Sequence, residues 1–260
     1  MPGRREALEA MLQDLGVSYE MEPFAFNQTE GVNFVVTLGS GAADIVIGGH
    51  YDAVSLRGGA LSRGAVDNAA SVVILAHLAA RLGDQNLRHR LRIVFFDMEE
   101  VGLAGSRRYI ESHRGDTIRA AVNLDVNAYG DTVFYGPSAA PGNALLYDVM
   151  REHCAEARIP CLEFPAYPAS DYLSFQAAGI PNISFSVLPA TEAQELSLYL
   201  SGGRGAFPAG FVPRVLDVIH SPADSSDRVE AAAMDLALRS LEGFLRRLDA
   251  ALDQQASESP

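Results

Sequence analysis

The sequence predicts an α/β protein: a three-layer α/β/α sandwich around a mixed, mostly parallel central sheet. Short strand-like runs at 44–48, 92–96, 119–124 and 182–186 alternate with segments of helical periodicity, the order that puts helices on both faces of a parallel sheet. Two of these runs, Asp44-Ile45-Val46-Ile47-Gly48 and Arg92-Ile93-Val94-Phe95-Phe96, are nearly continuously apolar, as strands buried on both faces are. A chain of 260 residues that is 48% apolar can bury a core of the size such a sandwich needs.

Residues 4–15 carry Ala7, Leu8, Met11, Leu12 and Leu15 at helical spacing and stop at Gly16. Residues 17–26 and 32–38 read as strands joined by a turn at 27–31, and their early pairing makes the sheet mixed. Strand 44–48 ends in Gly49-His50-Tyr51-Asp52. The glycine-rich, aperiodic stretch 55–65 reads as a loop, and Asp67-Asn68 opens helix 69–82. Strand 92–96 leads into the Glu99-Glu100 turn and helix 106–113; strand 119–124 ends in Asp125. Strand 131–135, helix 142–157, strand 160–164, helix 170–178 and strand 182–186 follow. Residues 192–212, with Gly202, Gly203, Gly205, Pro208 and Gly210, read as a loop over the site. Helix 229–250 closes the chain, and 253–260 reads as a frayed polar tail of a single domain spanning 1–260.

A formal charge of −13 argues against nucleic acid or an anionic membrane as partner. No apolar leader follows Arg4-Arg5, and no run reaches the roughly 18 apolar residues of a membrane span. The expected compartment is the cytoplasm, where Cys154 and Cys161 are expected as reduced thiols, with a disulfide as the alternative if their Cα atoms approach closely.

The chemistry gathers where strands end. Ligands of open α/β sheets bind beyond the carboxyl ends of the strands, and there stand His50, Asp67, Glu99-Glu100 and Asp125, with His220 shortly before the last helix. Alone, Glu99-Glu100 is equally a solvated acidic turn and Asp67 equally a helix N-cap. Together, two imidazoles and three carboxylates form the donor set for a pair of divalent ions, zinc being the default for mixed N/O ligation. Ions about 3.5–4 Å apart need a bridging ligand, which a carboxylate can be and an imidazole cannot. No helical His-Glu-x-x-His pattern is present.

Gly49-His50-Tyr51-Asp52, Gly64-Ala65-Val66-Asp67-Asn68-Ala69-Ala70, Glu99-Glu100-Val101-Gly102-Leu103-Ala104-Gly105-Ser106, Asn123-Leu124-Asp125 and His220-Ser221-Pro222-Ala223-Asp224 resemble, in order and spacing, the zinc aminopeptidase family. That family includes bacterial leucyl-type aminopeptidases, with glutaminyl cyclases as relatives. The resemblance implies a single zinc-exopeptidase domain with two Zn2+ per chain: His50 and Asp125 on one, Glu100 and His220 on the other, Asp67 bridging. It implies hydrolysis of the N-terminal residue of a peptide or aminoacyl substrate, by attack of a zinc-bound water with Glu99 as general base. Asp52 would hold His50 from behind, Asp224 would stand near His220, and the Asp67–Asn68 peptide would be cis. Tyr167 matches a tyrosine that donates to the developing oxyanion. Tyr172 stands where the family usually has histidine, and Val126, Tyr172, Phe185 and the 192–212 stretch are the expected pocket walls.

Two other readings remain. A glutaminyl-peptide cyclotransferase uses a related one-zinc site, but the known cyclases carry a tryptophan near the last zinc histidine and this chain has none. A non-catalytic binding domain on the same fold would not need all five ligands and the base. His77, His89, His113 and His153 read as surface or packing histidines without carboxylate partners. Asp97 reads as structural or as a support behind the ligands.

Overall fold

In a computed structural model that describes residues 2–258 apart from 84, 86 and 141, the alternation seen in the sequence becomes α1 (Pro2–Asp14), β1 (Glu20–Phe26), β2 (Thr29–Leu38), β3 (Asp44–His50), α2 (Ala70–Leu82), β4 (Arg90–Phe96), α3 (Ala104–Ser112) and β5 (Ile118–Leu124). The second half adds β6 (Thr132–Gly136), α4 (Ala144–Ala157), β7 (Cys161–Glu163), α5 (Tyr172–Ala177), β8 (Asn182–Leu188), α6 (Ala190–Leu200), α7 (Arg214–Val218) and α8 (Ala231–Glu258). Among the described residues, the eight strands form one sheet in the order β1-β2-β4-β3-β5-β8-β6-β7. The β3–β4, β3–β5, β5–β8 and β6–β7 pairs are parallel; β1–β2, β2–β4 and β6–β8 are antiparallel.

Alternation along each strand builds two cores. Phe34, Ile45, Ile47, Ile93, Phe95, Val122 and Phe185 pack with α1, α2, α4 and α8, while Val35, Val46, Val94, Phe96 and Ala121 face Tyr109 of α3 and Phe175 of α5. This is the expected three-layer sandwich. From β3 the chain crosses to β4 on one side and then to β5 on the other. That reversal opens a crevice at the strands' carboxyl ends.

Four expectations change. The stretch 192–212 is not a loop throughout: Ala190–Leu200 is helix α6, entered directly from Pro189, and α7 follows it. The closing helix does not stop at Ala250 but runs to Glu258, so 253–258 continue it; 259–260 lie outside the described residues. Cys154 and Cys161 are not thiols but a disulfide, with Cα atoms 6.1 Å apart. Arg158, left-handed at φ 56°, turns the chain back from α4 into β7 and brings the two together. His89 and His113 do have acidic partners: His89 Nδ1 lies 2.9 Å from Asp249, and His113 lies 2.8 Å from Glu22 and 2.7 Å from Asp116.

Contrary to expectation, Ala65–Leu82 is by length and composition apolar enough to cross a membrane, with mean hydropathy 1.3; 67% of it is buried inside the fold. Asp97 is structural as expected. Its carboxylate accepts from Val32 N at 3.1 Å and from the Tyr51 hydroxyl at 2.8 Å.

Candidate metal centre

Each site residue is delivered by the end of a different element. His50 is the last residue of β3; Glu99 and Glu100 follow β4; Asp125 follows β5; His220 follows α7. Asp67 sits in a wide turn, Ala65–Ala69, whose backbone leaves helical geometry at Asp67 and Asn68, and the Asp67–Asn68 peptide is cis. The Asn68 side chain locks this turn to β5, donating to Leu124 O at 2.8 Å and accepting from Val126 N at 3.2 Å. Met98, Val126 and His220 hold positive φ (59°, 55°, 58°), a conformation side-chain-bearing residues adopt only when their surroundings impose it.

These elements bring the predicted ligands together. His50 Nε2 lies 3.1 Å from Asp67 Oδ1 and 3.8 Å from Asp125 Oδ1. His220 Nε2 lies 3.1 Å from Asp67 Oδ2 and 3.1 Å from Glu100 Oε2. Asp67 thus turns one oxygen to each imidazole. The donor atoms of His50, Asp67 and Asp125 lie within 4.8 Å of one another, as do those of Asp67, Glu100 and His220. Glu100 Oε1 and Asp125 Oδ1 are buried without a hydrogen-bond partner, a costly arrangement for carboxylates unless a cation completes it. The donor set and these orphaned oxygens fit two divalent ions sharing Asp67.

The surrounding residues fix this geometry. Asp52 stands 3.3 Å from His50 Nδ1 and accepts from the backbone N–H of Glu99 and of Glu100 at 3.1 and 3.2 Å. It therefore links the first imidazole to the glutamate pair. Asp224 accepts from Val66 N and Asp67 N at 2.6 and 3.3 Å. Its place is under the Asp67 turn rather than against the His220 ring.

Crowded carboxylates and burial shape the charges. Burial, reinforced by Asp171, Asp125 and Glu100, pushes the Glu99 carboxyl up to about 9 against the pull of His50. Burial also raises Asp171, beside Asp52 and Asp125, to about 7. Hydrogen bonds to Asp67 and Glu100 raise His220 to about 10. Burial alone would lower His50, but Glu99, Asp125, Asp52 and Asp67 lift it well above the usual imidazole range. For Asp67, the two imidazoles outweigh burial and hold it below the usual carboxylate range.

Beside the cluster opens a cavity of about 230 Å³. Asp67, Glu99, Asp125 and His220 line its polar end, and Val126, Phe134, Leu188, Leu196, Val215 and Leu216 are among its apolar walls. Two expected walls stand elsewhere. Phe185 points into the core against the helices, because alternation along β8 turns Ser184, Ser186 and Leu188 the other way. Tyr172 packs edge-to-face on Tyr167, with ring centroids 6.0 Å apart, and donates to its carbonyl at 3.2 Å; it is backing rather than wall. Tyr167 lines the cavity, stacks on Phe134 and hydrogen-bonds Ser186, whose hydroxyl donates to Asp125 O. Leu196 of α6 falls in the 192–212 stretch expected as a wall, whereas Ser186, Asp171 and the walls from α7 have no counterpart in the sequence analysis. For Asp171 the only signal was its place in Ser170-Asp171, and for Ser186 its alternation with Phe185.

The sequence profile of peptidase family M28 matches residues 33–242. The chain belongs to peptidase family M28. Among its relatives, the probable lipoprotein aminopeptidase LpqL of Mycobacterium tuberculosis is 27% identical over 217 residues, 76% of this chain and 41% of that protein. BSAP, a zinc aminopeptidase from Bacillus subtilis, superposes with a TM-score of 0.67 at 18% identity over 85% of this chain and 51% of its own. Glutaminyl cyclase from Porphyromonas gingivalis superposes with a TM-score of 0.71 at 19% identity over 95% of this chain and 90% of its own. The chain spans less than half the length of the curated relatives it matches.

Proposed function

We propose that this M28 chain is a co-catalytic two-zinc aminopeptidase that hydrolyses the N-terminal residue from peptides. The observation that carries the reading is Asp67, whose two oxygens lie 3.1 Å from His50 and 3.1 Å from His220, at the mouth of an apolar cavity that also holds Glu99. His50, Asp67 and Asp125 would hold one zinc, and Asp67, Glu100 and His220 the other. Bound there, zinc would polarise the scissile carbonyl, lower the pKa of an attacking water towards about 7 and favour the ionised form of Glu99.

Glu99 then accepts the water proton on a carboxylate oxygen and returns it to the nitrogen of the leaving amine. Its neighbour Glu100 is aimed at His220, so the two adjacent carboxylates have separate tasks. Tyr167, packed between Phe134 and Tyr172, would turn its hydroxyl proton from Ser186 to the carbonyl oxygen as charge develops. The apolar cavity takes the first side chain and excludes water. The substrate's ammonium group is met by the carboxylates of the rim.

The glutaminyl cyclase reading draws on one observation, that the chain spans most of that neighbour's length. Against it, the His50, Asp67 and Asp125 triad is complete beside the second one, which a one-zinc cyclase does not require. Product analysis separates them. Leu-peptides are expected to release free leucine, and Gln-peptides to give no pyroglutamyl product. Burying a leucine side chain is worth about 1.5–3 kcal/mol, so kcat/KM for Leu-peptides is expected to exceed that for Gly-peptides about 10- to 100-fold. Ring closure of Gln-peptides without leucine release would support the cyclase.

A further inference from the structure

The N-terminal helix α1 packs on the core through Leu8 and Leu12 and holds its first-turn arginines against the floor of the metal centre. Arg4 Nη1 donates to Tyr51 O at 3.2 Å, and Nη2 donates to Arg63 O. Tyr51 lies between His50 and Asp52. Arg63 precedes Gly64, from which the chain enters the Asp67 turn.

Resting on the two-zinc reading, we propose that Arg4 is a positioning residue: its guanidinium ties the strand end carrying His50 and Asp52 to the segment leading into Asp67. Arg4 lies outside the span matched by the family.

Three further observations support the clamp. Residues 53–63 form an aperiodic excursion, held within itself by the Leu56 N to Ala60 O and Ser62 N to Val54 O bonds and the Ser55–Leu61 bridge. The guanidinium joins the base of that excursion and so closes a loop whose ends would otherwise be free to move apart. Gly64 leaves room for it: at φ +54°, a Cβ there would stand 2.5 Å from Arg4 Nη2 and 2.7 Å from Asp67 O. The same strand end is gripped a second way. Arg5 lies 3.9 Å from Asp97, and Asp97 takes the Tyr51 hydroxyl at 2.8 Å.

Charge alone would act in the opposite direction. Asp52, Asp224, Asp67 and Glu100 all face Arg4 at longer range, and a fixed cation beside these carboxylates repels zinc. Removing it would then tighten zinc binding. A clamp predicts weaker binding, because ligands must be ordered before the metal can use them. A planar fork with several donors spans two carbonyls, whereas a lysine ammonium reaches one with less direction.

The test is the zinc dissociation constant of the full chain, by competition with a chromophoric chelator, for the wild type, Arg4→Gln and Arg4→Lys, with thermal unfolding of each metal-free protein alongside. Arg4→Gln is expected to weaken zinc binding about 10- to 100-fold, and Arg4→Lys to recover less than half of that loss on a logarithmic scale. Unchanged or tighter binding by Arg4→Gln would overturn the clamp, as would wild-type affinity in Arg4→Lys. A shift in unfolding temperature with unaltered zinc affinity would make Arg4 merely structural and would also overturn it. If Arg4→Gln does not fold, Arg4→Lys decides by the same criterion. A wild type that binds no zinc would instead sink the two-zinc reading on which the clamp rests.

Discussion

Glu99→Gln is expected to lower kcat about a thousandfold, within the usual range for loss of a positioned general base, while zinc content stays at the wild-type level. Glutamine keeps the volume and a hydrogen-bonding head but cannot take a proton from water. Metal is retained because the Glu99 side chain belongs to neither ligand group; its backbone N–H, bonded to Asp52 at 3.1 Å, is unaffected by the change. Burial and neighbouring carboxylates raise the Glu99 carboxyl to about 9, so in the metal-free protein near neutral pH a neutral amide replaces an already neutral acid, and the metal-free variant is expected to unfold no earlier than the wild type. Metal analysis, turnover of a Leu-peptide and a melting curve check these together. Full activity would remove Glu99 from its role, and loss of zinc would make it a ligand.

Asp67→Asn is expected to have the larger effect on the metal. Asp67 is buried with one oxygen 3.1 Å from each imidazole. An asparagine would keep one acceptor and turn an N–H2 donor towards the other ring. The pair of sites can then no longer be bridged, so at most one zinc per chain is expected to survive gel filtration, with hydrolysis falling at least about a thousandfold. Retention of two zincs with high activity would show that another residue bridges.

Much of this site was legible in the sequence, because its parts are local. His50, Glu99-Glu100 and Asp125 each end a recognisable strand, and Asp67 opens a recognisable helix, so the fold class and the candidate positions that the fold brings together followed from the same pattern. What depends on long-range packing was not legible. Arg4 acts on Tyr51 and Arg63, and nothing in its own neighbourhood announces that. Phe185, expected as a wall, is sent into the core by the alternation of β8, which turns Ser186 into the cavity instead. Tyr172 supports Tyr167 from behind, a role that depends on a contact between rings. Helix α6 was masked by the glycines that follow it, although Ala190–Leu200 itself is rich in good helix formers. The thiol expectation rested on compartment, and chain geometry at Arg158 overruled it.

The central claim is that two zinc ions, held as one pair through Asp67, make this chain an aminopeptidase. Titrating zinc into chelator-stripped protein while following both bound metal and release of leucine from a Leu-peptide tests it most directly. Binding is expected to saturate at two zincs per chain, with activity absent from the stripped protein and restored as the sites fill. Activity untouched by the chelator, or less than one zinc per chain at saturation, would contradict it.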